Sequence, residues 1–293
     1  MFEAAPHPHL VPYDGSFRSA DAPTRAPRGA GSAKSWKDGL DAERKTIGKW
    51  QHKQFADGRF ALLLIFQALD AAGKDSTIRH VFSRVNPSGL RVASFKQPSH
   101  LELAHDFLWR TTQQLPQRGE MALFNRSYYE EVLVVRVHPE LLGAQRLPKR
   151  PSAAFWADRC RAIAEHERHL AENGTVILKF WLNISKREQR KRLLERLDEP
   201  DKRWKFRVGD LDERALWDDY QAAYEQCINA TSQPWAPWYA IPADDEGYLR
   251  WQVAALVNAA FEQLGVDYPQ PRGAELKALK QARARLAKDR HGP

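Results

Sequence analysis

The sequence predicts an α/β domain built on a doubly wound parallel sheet of about five strands, with helices on both faces. Short apolar segments alternate with amphipathic helical segments along most of the chain, which is typical of parallel sheets with right-handed crossovers. The segment Phe60–Phe66 is apolar without polar alternation, as expected of a strand that is covered on both faces. A loop of small residues, 68–73, follows that strand directly. These observations together define the predicted fold class.

The strands are predicted where apolar and β-branched runs are bounded by turn residues, and the helices where apolar residues recur with a period near 3.6. The predicted strands are Phe60–Phe66, Leu90–Lys96, Met121–Phe124, Thr175–Ile184 and Trp238–Ile241. The predicted helices cover about 36–58, 78–85 and 101–114, a segment that Ser152 caps and Asn173-Gly174 closes, and a segment from Asp245 to Leu264.

Three regions lie outside this alternation. Residues 1–35 are rich in Pro, Gly, Ala and Arg and are predicted to form an N-terminal arm. Residues 186–231 form a long charged excursion, predicted to be two helices joined by a basic turn. Residues 271–293 are predicted to be a basic C-terminal helix or tail. Because we find neither an internal repeat nor a second core, we expect one domain over 36–270.

The composition excludes several classes of protein. The longest apolar run, Phe60–Phe66, is much shorter than the roughly 20 residues of a membrane span, and no secretory signal is expected at the N-terminus. Two cysteines, Cys160 and Cys227, cannot form a disulfide framework. We therefore expect a cytoplasmic protein. Its 45 Lys and Arg against 37 Asp and Glu give a net charge of +8, which favours an anionic partner.

The loop after the first strand is where a phosphate-binding loop belongs. Its spacing is that of G-x-x-x-x-G-K-[ST], with Ala68 in place of the first glycine and Asp75 in place of the hydroxyl residue. Small residues let backbone N–H groups turn inward, and a lysine reaches the outer phosphates. The alternative is an ordinary strand–helix turn with a solvated lysine. The residues predicted to bind phosphate here are Ala71, Ala72, Gly73, Lys74, Asp75 and Ser76.

Two further side chains point to phosphate chemistry at the strand ends. Asp70 lies inside the loop, where a carboxylate would repel phosphates unless a cation such as Mg²⁺ lay between them; a turn or cap aspartate is the alternative. Arg126 follows the third strand, where its guanidinium offers a bidentate phosphate contact; the alternative is a surface ion pair. Asn125 before it supplies a neutral oxygen.

The charged excursion is the most basic zone of the chain. Lys186–Arg207 contains ten basic and five acidic residues. The helical part, 186–196, is equally well explained as a solvated face. The cluster Lys202–Arg207 is interleaved with aromatic residues in a predicted loop, which is typical of a mobile lid that closes over phosphates or of a nucleic-acid contact.

Several motifs occur in an order that resembles the polyphosphate kinase type 2 family. The resemblance extends from about Leu40 to Gly265. The motifs are Asp70-Ala71-Ala72-Gly73-Lys74-Asp75, Ser94-Phe95-Lys96-Gln97-Pro98-Ser99, His105-Asp106-Phe107-Leu108-Trp109-Arg110, Arg118-Gly119-Glu120, Phe124-Asn125-Arg126-Ser127-Tyr128-Tyr129-Glu130, Trp204-Lys205 with Asp210, and Ala236-Pro237-Trp238 with Ile241-Pro242-Ala243.

The resemblance implies a P-loop kinase fold similar to thymidylate kinase, a three-layer α/β/α domain with a helical lid. It implies Mg²⁺-dependent, reversible phosphoryl transfer between inorganic polyphosphate and AMP or ADP. We expect a homo-oligomer, a dimer or a tetramer, and no nucleic-acid partner. Asp70, Lys74 and Arg126 would be catalytic, with Asp70 at the metal. Lys96 and the lid residues Lys202, Arg203 and Lys205 would bind polyphosphate; Asn125, Glu130, Arg110 and Arg118 would bind the nucleotide. Asn125 with Glu130 is similar to the subgroup that accepts AMP as well as ADP.

One departure and two alternatives stay open at this point. Glu246-Gly247 stands where relatives commonly have a lysine and an aromatic residue, which puts polyphosphate contacts there in doubt. The first alternative is an ATP-dependent nucleotide or small-molecule kinase with the same fold. The second is a non-catalytic polyanion-binding protein with a decayed loop, which draws on Ala68, Asp75 and Asn125.

Overall fold

The computed structural model describes residues 2–4, 6–148 and 151–288. Its centre is a sheet of five parallel strands, β1 (Ala61–Gln67), β2 (Leu90–Ser94), β3 (Met121–Asn125), β4 (Thr175–Asn183) and β5 (Trp238–Pro242), in the order β2-β3-β1-β4-β5. The predicted parallel sheet is confirmed. Because all strands run the same way, their carboxyl ends share one edge, where ligands bind in open α/β sheets.

Helices cover both faces of the sheet. Three of those described, α3 to α5, are single turns. The helices are α1 (Ala33–Asp57), α2 (Lys74–Val81), α3 (His100–Leu103), α4 (Trp109–Thr112), α5 (Val134–Val137), α6 (Phe155–Glu172), α7 (Lys186–Asp198), α8 (Gly209–Ala215), α9 (Trp217–Thr231), α10 (Glu246–Leu264) and α11 (Gly273–Lys288).

Three local predictions were wrong. The helix expected over 101–114 is two short turns, because the Asp106 carboxylate accepts the Leu108 N–H (2.9 Å) and this side-chain bond competes with the helical pattern. Ser152 does not cap α6, which begins at Phe155 after Ala154. The charged excursion contains three helices, α7, α8 and α9, rather than two.

Two apolar cores lie on the two faces of the sheet. Strand β1 is fully buried and sends alternate side chains to each core, with Leu62 and Leu64 on one side and Leu63 and Ile65 on the other. The first core is closed by α1, α2 and α10, and the second by α6 and α9. This explains why the strand sequence is a continuous apolar run.

The N-terminal residues lie against the β5 edge of the sheet. The Val11 N–H donates to the Trp238 carbonyl (2.9 Å), and the Ala240 N–H donates to the His9 carbonyl (2.9 Å). Val11 is buried in the second core. The chain therefore covers one open edge of the sheet with its own backbone.

The excursion divides into a packed part and an exposed part. Helix α9 lies in the second core, whereas the connection between α7 and α8 exposes Trp204 (77%) and Val208 (76%). Helix α11 buries no residue, and residues 289–293 of the predicted tail lie outside the described residues. Within the described ranges, no helix combines the length and the apolar character that crossing a membrane would require.

Candidate functional site

The loop between β1 and α2 lies at the carboxyl edge of the sheet. Gly73 precedes α2 with φ +100°, and Ala71 has φ +63°. These left-handed conformations turn the chain sharply into the helix. A side chain at Gly73 would be strained there, and its Cβ would lie 3.7 Å from Arg192 Nη1. The left-handed backbone conformation is therefore what favours glycine at position 73.

Arg126 is the centre of the charged cluster at this edge. Its Nη2 lies 3.1 Å from Asp70 Oδ1, and its Nη1 lies 3.0 Å from Glu130 Oε2. The residue has φ +64°, and its N–H donates to the Phe66 carbonyl (3.0 Å). Glu130 and then Asp70 raise the pKa of Arg126 above its ordinary value. The structure thus brings three of the predicted residues together.

Lys74 adjoins this cluster from the loop. Its Nζ donates to the Ala68 carbonyl (2.6 Å), so its amine is turned back onto its own loop. Burial, and then the positive charge of Arg126, lower the pKa of Lys74 to about 8, although Asp70 and Glu130 oppose this shift. The buried ammonium of Lys74 therefore has fewer water partners than that of a surface lysine.

Two neighbouring pairs complete the edge. Asn125 Nδ2 donates to the Asp75 carboxylate, which ties the end of β3 to the start of α2. Gln67, the last residue of β1, lies between Ser127 and Glu130; in the amide orientation that satisfies both, its nitrogen donates to Glu130 Oε1 (2.9 Å). The sequence analysis did not predict Gln67, because a single glutamine at the end of a strand is not part of a recognisable sequence motif.

The donor set fits a magnesium ion that is shared with phosphates. Burial, and then the negative charge of Asp70, raise the pKa of Asp210 on α8, whose Oδ2 lies 3.6 Å from Arg196 Nη1. The described residues contain no group of three or more His, Cys, Asp or Glu that could hold a metal alone. Mg²⁺ is commonly held by one or two carboxylates with phosphates and water, and Asp70 and Asp210 are the candidate carboxylates.

Two arginines that the sequence reasoning missed lie on the outer side of the loop. Arg192 of α7 donates to the carbonyls of Ala71 (3.2 Å) and Ala243 (2.7 Å), and Arg250 of α10 donates to Ser76 Oγ (3.3 Å). Glu246 lies 3.9 Å from Arg192 and also pairs with Arg250. In the sequence Arg192 is one of ten cations in a run, and nothing there distinguishes it.

Several predicted site residues lie elsewhere. Arg118 precedes β3 and donates to the Asn173 carbonyl (3.1 Å) just before β4, so it lies at the opposite edge of the sheet. Arg110 donates to the Lys96 carbonyl (2.8 Å) and is 8% exposed, beside a separate cavity. The lid cations make their described contacts within the exposed tip: Lys202 with Glu199, Arg203 with Leu197 and Lys205 with Trp204.

Known proteins are similar to this chain in sequence and in fold. The sequence profile of the family described as polyphosphate kinase 2 (PPK2) matches residues 31–268. The ADP-polyphosphate phosphotransferase of Rhodopseudomonas palustris is 51% identical over 85% of this chain and 87% of its own. The AMP/ADP-polyphosphate phosphotransferase of Meiothermus ruber is 50% identical over 83% of this chain and 87% of its own.

The structural comparison agrees. The crystal structure of polyphosphate kinase 2 from Arthrobacter aurescens superimposes with a TM-score of 0.88 at 37% identity and covers 99% of both chains. This confirms the fold that the motifs implied, and the profile match confirms the resemblance itself. The chain belongs to the polyphosphate kinase 2 family.

Proposed function

We propose that the protein transfers the terminal phosphate of inorganic polyphosphate to AMP and ADP, reversibly. The observation that carries the proposal is the cluster of Arg126 with Asp70 and Glu130 beside Lys74, at the carboxyl edge of the sheet. Two relatives that are about 50% identical to this chain are named ADP-polyphosphate phosphotransferase and AMP/ADP-polyphosphate phosphotransferase. A polyphosphate chain is a line of negative charge, which suits a chain of net charge +8.

Lys74 and Arg126 hold the terminal phosphate of the donor, together with the backbone N–H groups of residues 71–76. Both side chains are occupied by exchangeable partners, since Lys74 donates to a loop carbonyl and Arg126 to two partly exposed carboxylates. A bound phosphate gives Lys74 a charge-assisted hydrogen bond in place of a neutral one. It can also be added to the carboxylate contacts of Arg126, because a guanidinium has five N–H donors. The rest of the polyphosphate chain is bound by Lys96 and by three cations of the connection between α7 and α8, Lys202, Arg203 and Lys205.

Asp70, together with Asp210, would hold Mg²⁺, and the ion would neutralise charge on the phosphates. An oxygen of the acceptor's terminal phosphate attacks the terminal phosphorus of the donor, and the anhydride P–O bond breaks to leave its electron pair on the shortened chain. The attacking oxygen is already ionised at neutral pH, so no strong base is required. The residues of the site act by positioning and by charge.

The acceptor lies on the β3 side of the site. Asn125 contacts its phosphate, Glu130 acts through the guanidinium of Arg126, and Arg110 contributes to the nucleoside. The Asn125-Arg126-Ser127 form with Glu130 supports use of AMP as well as ADP. Arg118 lies at the opposite edge of the sheet, so its predicted nucleotide contact has no place in the proposal. Homo-oligomeric assembly and a cytoplasmic location stay predictions.

The test is nucleotide chromatography after incubation of the purified protein with long-chain polyphosphate, Mg²⁺ and either AMP or ADP in separate reactions. We expect ADP and ATP to form from AMP, and ATP to form from ADP. Both conversions should stop when EDTA is added. A parallel reaction with ATP as donor and no polyphosphate serves as the control.

Each outcome decides between the alternatives. Conversion of ADP alone would retain the reaction and overturn the use of AMP inferred from Asn125 and Glu130. Phosphorylation only when ATP is the donor would identify an ATP-dependent kinase. Absence of product in all reactions, with binding of polyphosphate that weakens steeply with salt, would identify a polyanion-binding protein.

A further inference from the structure

One carbonyl of the loop between β1 and α2 is held from outside the loop by a glutamine. Gln189 of α7 donates from Nε2 to the Asp70 carbonyl (3.1 Å). The two carbonyls before it, those of Ala68 and Leu69, accept from Lys74 of the same loop segment. A phosphate that binds Lys74 draws its ammonium away from both carbonyls, whereas the contact of Gln189 can remain. The main chain of Asp70 is therefore still held by α7 when a donor is bound.

The same amide also holds α8. Arg214 Nη1 donates to Gln189 Oε1 (2.7 Å) and to the Lys186 carbonyl (2.8 Å). Gln189 is 3% exposed. Its two partners determine the orientation of its amide, because a carbonyl only accepts hydrogen bonds and a guanidinium only donates them. Both ends of the side chain are thus used, one by the loop and the other by α8.

Arg192, on the same helix, makes a different set of contacts. It donates to the Ala71 carbonyl (3.2 Å) and to the carbonyls of Ala243 (2.7 Å) and Asp244 (3.1 Å), which follow β5. Arg192 therefore attaches α7 to the body of the domain. Gln189, by contrast, connects the loop with α8.

The two segments that Gln189 connects carry the two candidate carboxylates for Mg²⁺. Asp70 lies in the loop, and Asp210 lies on α8 four residues before Arg214, which places the two residues of α8 on one face of the helix. Asp210 also lies 3.6 Å from Arg196 of α7. Helix α7 is thus the common support of both carboxylates, and Gln189 is its contact with the main chain of Asp70.

We propose that Gln189 is a positioning residue for phosphoryl transfer. It directs the Asp70 carboxylate by holding the Asp70 main chain, and through Arg214 it sets the position of α8, and with it Asp210, relative to the loop. The inference rests on the proposed function. It adds to the site a residue of the charged excursion that carries no charge itself.

The first test is Gln189→Met, which keeps the length of the side chain and removes both hydrogen bonds. Lys74 and Arg126 stay in place, so KM for polyphosphate should remain within about threefold of the wild-type value. We expect kcat to fall about tenfold to 100-fold, because a displacement of about 1 Å in a catalytic group has an effect of that size. A normal kcat, or a rise in KM with kcat unchanged, would overturn the proposal.

A second measurement does not depend on transfer. Tripolyphosphate is titrated calorimetrically into the full chain without an acceptor, once in EDTA and once in excess Mg²⁺. We expect wild type to bind more tightly in Mg²⁺, and Gln189→Met to lose most of this gain while keeping its affinity in EDTA. An equal loss in both conditions would show only a loosened loop and would overturn the proposal, as would a wild-type protein that gains nothing from Mg²⁺. Failure of the transfer reaction and failure of this proposal are therefore distinguishable.

Arg214→Met separates the two contacts of the amide, because it leaves the bond from Gln189 to the Asp70 carbonyl in place. It should lower kcat by about threefold to tenfold, the usual cost of one hydrogen bond. The double variant Gln189→Met/Arg214→Met should be no slower than Gln189→Met alone, because Arg214 acts through Gln189. Losses that add in the double variant would overturn the connection to α8.

The matched control is Arg187→Met, which removes the same charge from an exposed position of α7 and should leave kcat unchanged. Circular dichroism checks the folding of each variant. If Gln189→Met does not fold, Arg214→Met decides, and a kcat equal to that of Arg187→Met would then overturn the proposal.

Discussion

Two ion-paired groups are joined by the segment from Arg126 to Glu130, and they differ in almost every physical respect. At the edge of the sheet, Arg126 and Asp70 expose about a third of their side chains (37% and 32%). In the core, Lys179 and Glu167 are fully buried at 2.5 Å from each other. The first pair faces solvent and the loop, and the second lies between β4 and α6.

The buried pair is satisfied in full, whereas the edge pair can exchange. Lys179 donates to Glu167, to the Tyr129 hydroxyl (3.0 Å) and to the Thr231 carbonyl (2.7 Å), which uses all three of its protons. The Tyr128 hydroxyl donates to Glu167 as well (2.9 Å). The buried group therefore holds the segment from Arg126 to Glu130 against the core, and the edge group keeps partners that a ligand can replace.

The largest effect is expected from breaking the buried pair. Lys179→Met leaves the Glu167 carboxylate buried without its cation, and such a change costs about 3–5 kcal/mol. Burial raises the pKa of Glu167, and the positive charge of Lys179 opposes this shift. We expect the free energy of unfolding in urea to fall by that amount.

The double variant Lys179→Met/Glu167→Gln tests the reason for this loss. Glutamine keeps the hydrogen bonds to the tyrosines without a charge, so the double variant should be more stable than Lys179→Met alone. An unfolding free energy for Lys179→Met within about 0.5 kcal/mol of wild type, as for an ordinary surface change, would contradict the role of the buried pair.

The next largest effect is expected at the edge, and it should concern activity rather than stability. Lys74→Ala removes the ammonium that holds the donor's phosphate, and loss of one such group lowers kcat about 10²–10³-fold. The transition temperature should change little, because Lys74 pairs only with carbonyls of its own loop. Lys45→Ala on α1 removes the same charge from an exposed position and should leave kcat unchanged. Near-normal turnover by Lys74→Ala would contradict the proposed role.

The edge group was largely predictable from the sequence, because its residues follow strands. Asp70, Lys74 and Arg126 come directly after β1 or β3, and residues that follow parallel strands converge on one edge. The same rule places Arg118, which precedes β3, at the other edge. The motif around Arg118 implied a contact with the nucleotide. Because Arg118 precedes β3, it lies away from the edge of the sheet where ligands bind.

The contacts made by distant segments were not predictable. Arg192 reaches the loop from α7, and Glu167 meets Lys179 across 12 positions of sequence; both depend on how helices pack on the sheet. The helix expected over 101–114 failed for a local reason, because the side-chain bond of Asp106 outweighed the apolar period. The apolar periodicity predicts most of the helices and strands, whereas tertiary packing determines which distant side chains contact each other.

A pH profile sharpens the contrast at Lys74. Its pKa is lowered to about 8 by burial and by Arg126, and only the protonated amine attracts phosphate. We therefore expect kcat/KM for polyphosphate, which reports the free enzyme, to fall about tenfold per pH unit above pH 8. Lys74→Arg should remove this alkaline limb, because arginine stays charged. A wild-type profile that stays flat to pH 9.5 would contradict the lowered pKa.

The smallest effect is expected at Glu246. Its carboxylate pairs with Arg192 and Arg250, and Arg250 also donates to Ser76 Oγ. These arginines are near the phosphate loop, so a polyphosphate chain that reaches them must compete with Glu246. Its side chain is 42% exposed, and partly exposed pairs contribute about 0.2–1 kcal/mol.

Glu246→Gln should therefore lower KM for polyphosphate by no more than about fivefold, with kcat unchanged. Glu262→Gln makes the same change of charge at an exposed position of α10 and separates this local effect from the general rise in positive charge. Equal results for the two variants would show that Glu246 does not compete with the donor. A higher KM for Glu246→Gln would show instead that the carboxylate holds the two arginines in the orientation that binds polyphosphate.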